Sequence, residues 1–111
     1  GLGRLIGRSG LSFCAELAAM KADSMGIRHP QHFYGMLAGG HLNTQLVANI
    51  LHSLPEGVSE LMTHPGLDSA ALGKVFSWQY HWRDELDAYL AADNKQLLEK
   101  LGIEPVSFAC L

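Results

Sequence analysis

The stretch Leu54-Pro55-Glu56-Gly57-Val58-Ser59-Glu60-Leu61-Met62-Thr63-His64-Pro65-Gly66 decides the fold. Pro55 to Gly57 is a turn, and Val58 to Thr63 is a short run bounded by Gly and Pro that reads as a strand. Immediately upstream, Leu46, Val47, Ile50, Leu51 and Leu54 recur at helical spacing, with Asn43 or Thr44 placed to cap the start. A helix, a tight turn and a strand make half of an α/β unit. His64 then stands just past the strand, where α/β folds put catalytic groups, and Pro65-Gly66 fixes the turn after it. Imidazole suits proton transfer near neutral pH. The alternative is a buried or capping histidine bonded to a carbonyl.

Working outward, Leu11 to Met25 reads as an amphipathic helix, with Ser9 or Ser12 near its start and Gly26 at its end. Cys14 falls on its apolar face and reads as a buried free thiol. From Ile27 to Leu42 the period breaks, and the segment reads as a loop in which Gly39-Gly40-His41 is flexible. Downstream, Asp68 to Leu72 is a short helix with Asp68 as turn or cap. A longer helix follows, carrying Trp78, Trp82, Leu86, Tyr89 and Leu90 on one side. Asp93 and Gln96 are placed as a capping box for a last helix ending at Gly102, and Ile103 to Phe108 reads as a closing strand.

This order predicts a helix-rich α/β fold with few parallel strands. Two strands are too few for a sheet with both faces covered, so residues 1–111 read as a single partial domain, the C-terminal portion of a (β/α) barrel-like fold. A first residue other than Met agrees with coverage of part of a longer chain.

The composition, 48% hydrophobic and 17% charged in 111 residues, belongs to a folded protein of about one domain. The eight basic residues are scattered and the formal net charge is −3, which argues against a nucleic-acid partner. No apolar run is long enough for a membrane span. Two cysteines are too few for a disulfide framework, and a cytoplasmic setting fits their use.

The run from Phe33 to Gly66 resembles the YdjC-like carbohydrate deacetylases. The resemblance rests on the aromatic-Gly element Phe33-Tyr34-Gly35, then Leu54-Pro55-Glu56-Gly57, then Glu60-Leu61 leading into His64-Pro65-Gly66. Trp82-Arg83-Asp84-Glu85-Leu86 and the stretch from Leu97 to Phe108 continue the pattern, and the match covers about three quarters of the chain. The hopanoid-biosynthesis branch shares a similar C-terminal pattern. The resemblance implies a metal-dependent hydrolase of barrel-like fold that removes acetyl groups from N-acetylated amino sugars or oligosaccharides. It implies a divalent metal, Mg or Zn, activating water with help from an upstream Asp, while His64 donates a proton to the leaving nitrogen. This sequence has no adjacent Asp-Asp pair and no His-x-His, so the metal ligands are expected outside this chain.

Substrate contacts are assigned on the same basis to Phe33, Tyr34, Gly35, Glu60 and Arg83. Core packing remains the alternative for the two aromatics, a solvated carboxylate for Glu60, and a surface charge for Arg83. Glu60 lies four residues before His64, where strand alternation places it to orient the imidazole. His32 is assigned to shaping the substrate loop; His29, His32 and His41 show no regular ligand spacing, and His52 and His81 read as helix-surface residues. A competing reading is a non-catalytic α/β interaction module, or truncated paralogue, that self-associates. Uncovered strand edges and helix faces predict a homo-oligomer.

Overall fold

The computed structural model describes residues 2–111, with side chains from Ser9 onward. Its elements are α1 (Leu2–Ser24), β1 (His32–Tyr34), α2 (Thr44–Ser53), β2 (Ser59–Leu61), α3 (Ser69–Val75), α4 (Trp82–Leu90), α5 (Ala92–Leu101) and a terminal 3-10 turn, Phe108–Cys110. The described residues therefore form a helix-rich α/β fold with five α-helices and two parallel strands. The chain divides into two compact units, one containing α1 and residues 107–111, the other residues 30–106.

In the larger unit β1 and β2 pair in parallel, with His32 opposite Ser59, Phe33 opposite Glu60 and Tyr34 opposite Leu61. Parallel neighbours need a crossover, and α2 supplies it. The pairing runs on past the strands, since Gln31 N–H donates to the Val58 carbonyl (2.9 Å) and Met62 N–H to that of Tyr34 (3.0 Å). Gln31 also accepts from Val58 N–H through its side-chain oxygen at 2.6 Å.

The core is small: Leu42, Val47 and Ala88, with Ala38, Ile50, Leu51, Leu61 and Tyr89 packed against it. The periodic apolar face of α2 meets α4 and α5 here. Asn94 is the buried amide that locks this arrangement. Its Nδ2 donates to the Ala88 carbonyl (2.9 Å) and the Thr44 carbonyl (3.2 Å), joining the start of α5 to α4 and to α2.

The helix ends explain where the sequence reading held and where it failed. Asn43 caps α2 by accepting from Leu46 N–H at 2.9 Å, and Asp68 caps α3 by accepting from Ala71 N–H at 2.9 Å. Gly102 closes α5 in the left-handed region at φ 67°. The capping box at Asp93 does not form, because α4 and α5 abut. Ala91 is both the C-cap of one and the N-cap of the other, so Asp93 falls inside the first turn, where it meets the positive end of the helix dipole.

Trp78 is not helical. Gln79 adopts φ 58°, which a helix cannot contain, and α4 begins only at Trp82. The segment read as a loop holds β1, whose three residues are too few to show an alternation. The closing strand is absent: no strand pairs with residues 103–107 among the described residues, Pro105 has no N–H to offer, and the chain ends in a 3-10 turn.

The smaller unit differs from expectation at two points. Its helix starts at Leu2 instead of near Ser9 or Ser12, running through glycines that weaken but do not stop it. Cys14 is exposed, as are Leu11, Phe13, Leu17 and Met20. The residues of that unit leave the face uncovered, so periodicity located the face without showing what covers it. Among the described residues no helix is long and apolar enough to cross a membrane.

Removing the α2 cap tests the local account. Asn43→Ala should lower unfolding stability by about 1 kcal/mol, while Asn43→Asp keeps an acceptor and loses less. Urea titration reads both; an alanine variant with the wild-type midpoint would show that the cap contributes nothing.

Candidate functional site

Beyond β2 the chain continues as Met62-Thr63-His64, placing His64 at the C-terminal end of a parallel strand. Its backbone is fixed by a residue twenty-one positions later. Glu85, on α4, is completely shielded from solvent, and its Oε2 accepts from His64 N–H at 2.5 Å. Its other oxygen, Oε1, accepts from Leu42 N–H at 3.2 Å. One carboxylate thereby satisfies amides from the segment before α2 and the segment after β2. Such partners are what a buried carboxylate requires.

The imidazole itself lies beside the same carboxylate, with Nδ1 3.7 Å from Glu85 Oε2. That nitrogen is buried without a hydrogen-bond partner, while the side chain as a whole is 25% exposed. The accessible part of the side chain therefore excludes Nδ1. Tyr80 packs edge-on against it, ring centres 4.7 Å apart. The Gly39-Gly40 backbone also comes close: a Cβ on Gly39 would lie 3.2 Å from His64 Cε1, and one on Gly40 would overlap the Tyr80 ring. The two glycines are thus close-approach residues, packed instead of flexible, and Gly40 is buried. His81 N–H donates to the Gly40 carbonyl at 2.6 Å, and Gly66 N–H to the Trp82 carbonyl at 3.0 Å. These bonds tie both loops to the start of α4. His81 makes no side-chain cap there, and Ser69 Oγ answers the Arg83 amide at 3.0 Å.

The other residues singled out in the sequence scatter. Phe33 and Tyr34 are consecutive in β1, so they face opposite sides of the sheet and do not form one wall. Tyr34 shares its side with Leu61, which packs on the core; Phe33 is exposed and shares its side with Glu60. Gly35 has φ 99°, and a Cβ there would collide with the Met62 carbonyl, so it allows the strand ends to close together. The Arg83 guanidinium bonds Asp87 at 2.9 Å on the exposed side of α4, a contact that raises its pKa above the usual value. His29 pairs with Asp23 at 2.9 Å in the smaller unit. Glu85 holds the place beside His64 that the sequence reading gave to Glu60. The signal was available: Glu85 lies three residues from both Trp82 and Ala88, a lone acid on an otherwise apolar helix face.

Tyr89 borders this region from the core side. Burial, reinforced by the negative Glu85 carboxylate, pushes its phenol from 10.0 to about 12. The Thr63 side chain offsets part of this, although no hydrogen bond of standard geometry joins the two.

The residues present do not fit a metal centre of their own. Among the described residues no three His, Cys, Asp or Glu side chains converge as a metal-binding group, whereas a hydrolytic metal needs about three protein ligands. In comparison with known families, residues 3–100 match the family model described as YdjC-like protein. No curated protein and no solved structure matches the chain.

Two measurements test this account. Glu85→Ala strips the acceptor from two amides and should lower stability by roughly 2–5 kcal/mol, with Glu85→Gln, which keeps one carbonyl oxygen, losing less. A wild-type denaturation midpoint in the alanine variant would show that the carboxylate does not brace these segments. For Tyr89 the folded state holds its proton more tightly than the unfolded chain. Its contribution is therefore complete below about pH 10 and is lost as pH rises toward 12. Tyr89→Phe should flatten that alkaline decline in the denaturation midpoint; an identical slope in both proteins would contradict the assignment.

Proposed function

The chain belongs to the YdjC-like family, and on that basis we propose that it contributes the proton-donor side of a carbohydrate deacetylase site. The reaction is hydrolysis of an acetamide on an N-acetylated amino sugar or oligosaccharide. The metal expected for the complete enzyme, Mg or Zn, would be held by residues outside this chain, within a (β/α) barrel-like fold to which β1 and β2 contribute.

The observation that carries the reading is the fixed imidazole of His64. Water adds to the acyl carbon, the C–N bond breaks, and the products are acetate and a free amino sugar. An amide nitrogen leaves poorly as an anion, so a proton must reach it as the bond breaks. His64 is suited to give it. Its backbone is anchored on Glu85, its Nδ1 is buried, and its ring packs against Tyr80 and close to Gly39, with part of the side chain accessible. Holding the ring this way limits the reorganisation needed when substrate arrives. Phe33 and Glu60, on the outer side of the strand pair, are the remaining candidates of the strand region for contact with substrate.

A second reading, a non-catalytic α/β module that pairs with another copy of itself, draws on the exposed Leu11, Phe13, Leu17 and Met20 of α1. Size-exclusion chromatography giving only monomer across a wide concentration range would count against it.

Acetate release from N-acetylated chito-oligosaccharides by the complete protein is the direct test. His64→Ala should reduce turnover by about 10²–10⁴-fold. Unchanged turnover would remove His64 from the reaction.

A further inference from the structure

We propose that Phe76, Trp78 and Tyr80 form a stacking platform for the sugar chain, a binding subsite leading to His64. The identity of the ligand rests on the deacetylase reading; the platform itself rests on geometry. The three rings alternate with Ser77 and Gln79 along the segment between α3 and α4. Phe76 and Trp78 stack with ring centres 4.6 Å apart and planes inclined by 27°. Trp78 and Tyr80 follow at 5.5 Å, and Tyr80 touches the His64 ring at 4.7 Å. The row thus runs ring by ring into the imidazole.

Its outer end is open. Trp78 is 54% exposed and Phe76 38% exposed, although burying either ring would favour folding. Its inner end is pinned: Tyr80 lies on Gly40 and beside the buried Trp82, and the His81–Gly40 hydrogen bond holds the next residue. Gln79, between Trp78 and Tyr80, is the one non-glycine with positive φ among the described residues. A side chain held in that conformation is tolerated only where the surroundings impose it. The rings are therefore arranged before any ligand arrives, which reduces the ordering needed on binding.

Ligand chemistry follows from the row and its rim. Aromatic faces are electron-rich and attract the slightly positive C–H face of a pyranose. His41 and His64 both meet the Tyr80 ring, His81 lies 4.8 Å from His41, and His81 Nδ1 is 3.5 Å from Asp84. That set suits the hydroxyl and amide groups of a neutral saccharide better than it suits an anion. A row that reaches from the His64 ring past Tyr80 to the exposed Trp78 is longer than one sugar ring, which favours an oligosaccharide over a single sugar.

Calorimetric titration of the protein with the N-acetylated chitotetraose, and with N-acetylglucosamine alone, tests this. Trp78→Ala should weaken tetrasaccharide binding about 10-fold and leave the monosaccharide nearly unaffected, with Trp78→Phe intermediate. Circular dichroism checks that each variant is folded, and Phe76→Ala provides a second probe outside the core. Tetrasaccharide affinity unchanged in both alanine variants, or absent in the wild type, would overturn the proposal. Acetate release separates the two ideas. Trp78-dependent binding without acetate release in the complete protein leaves the platform standing and removes the deacetylase. His64-dependent release with tetrasaccharide affinity and KM unaltered in Trp78→Ala does the reverse.

Discussion

A carboxylate removed from water must be answered by donors, and Glu85 is answered by two backbone amides from separate segments. The segment before α2 and the segment after β2 are short and irregular, and beyond Met62 no strand pairing holds them in place. One side chain of α4 fastens both, and backbone bonds from Gly40 and Gly66 to the start of the same helix add to it. The position of His64 relative to the sheet, and the close approach of Gly39 to it, follow from that anchor. The small apolar core of Leu42, Val47 and Ala88 would not by itself fix the register of these loops, because hydrophobic contact is non-directional. Two hydrogen bonds supply the direction.

Much of this was legible in the residues. α2, its Asn43 cap, the Asp68 cap, the short strand at Ser59–Leu61 and the Gly102 stop all follow from local rules whose physical cause lies within a few positions. His64 at the strand end was readable for the same reason. What sequence alone could not give were relations across distance. Glu60 was placed beside His64 by counting along a strand, but β2 ends at Leu61 and the intervening residues leave the strand. The acid that fills that place comes from α4, and its role is set by the packing of helices against the sheet. Gly39 and Gly40 illustrate the same limit. A glycine pair reads as slack when only neighbours are considered, yet here the missing side chains make room for His64 and Tyr80. Periodicity puts Trp78 and Trp82 on one helix face with Leu86, Tyr89 and Leu90, whereas the left-handed turn at Gln79 keeps Trp78 out of the helix, which begins only at Trp82.

Family membership and geometry support the functional reading from different sides. The match over residues 3–100 says what kind of protein this is, without a role for any side chain. The structure says what each side chain is engaged with: His64 is packed on Tyr80 beside the Glu85 anchor, whereas Arg83 is occupied with Asp87 on the exposed side of α4. A reacting group has to be aimed before it is useful, and among the sequence candidates His64 is braced from the most directions.

The junction at Ala91 has a consequence for how this part of the protein tolerates change in length. One residue serves as the end of α4 and the start of α5, so there is no spare backbone to absorb an insertion. A single added residue within the first turn of α5 would swing everything beyond it by about 100° around the helix axis. Asn94 would then leave the two carbonyls it bonds, and the contact of α5 with α2 would be lost. Exposed loops absorb such changes in length, but at this hinge-free corner the spacing between the two helices is set to the residue.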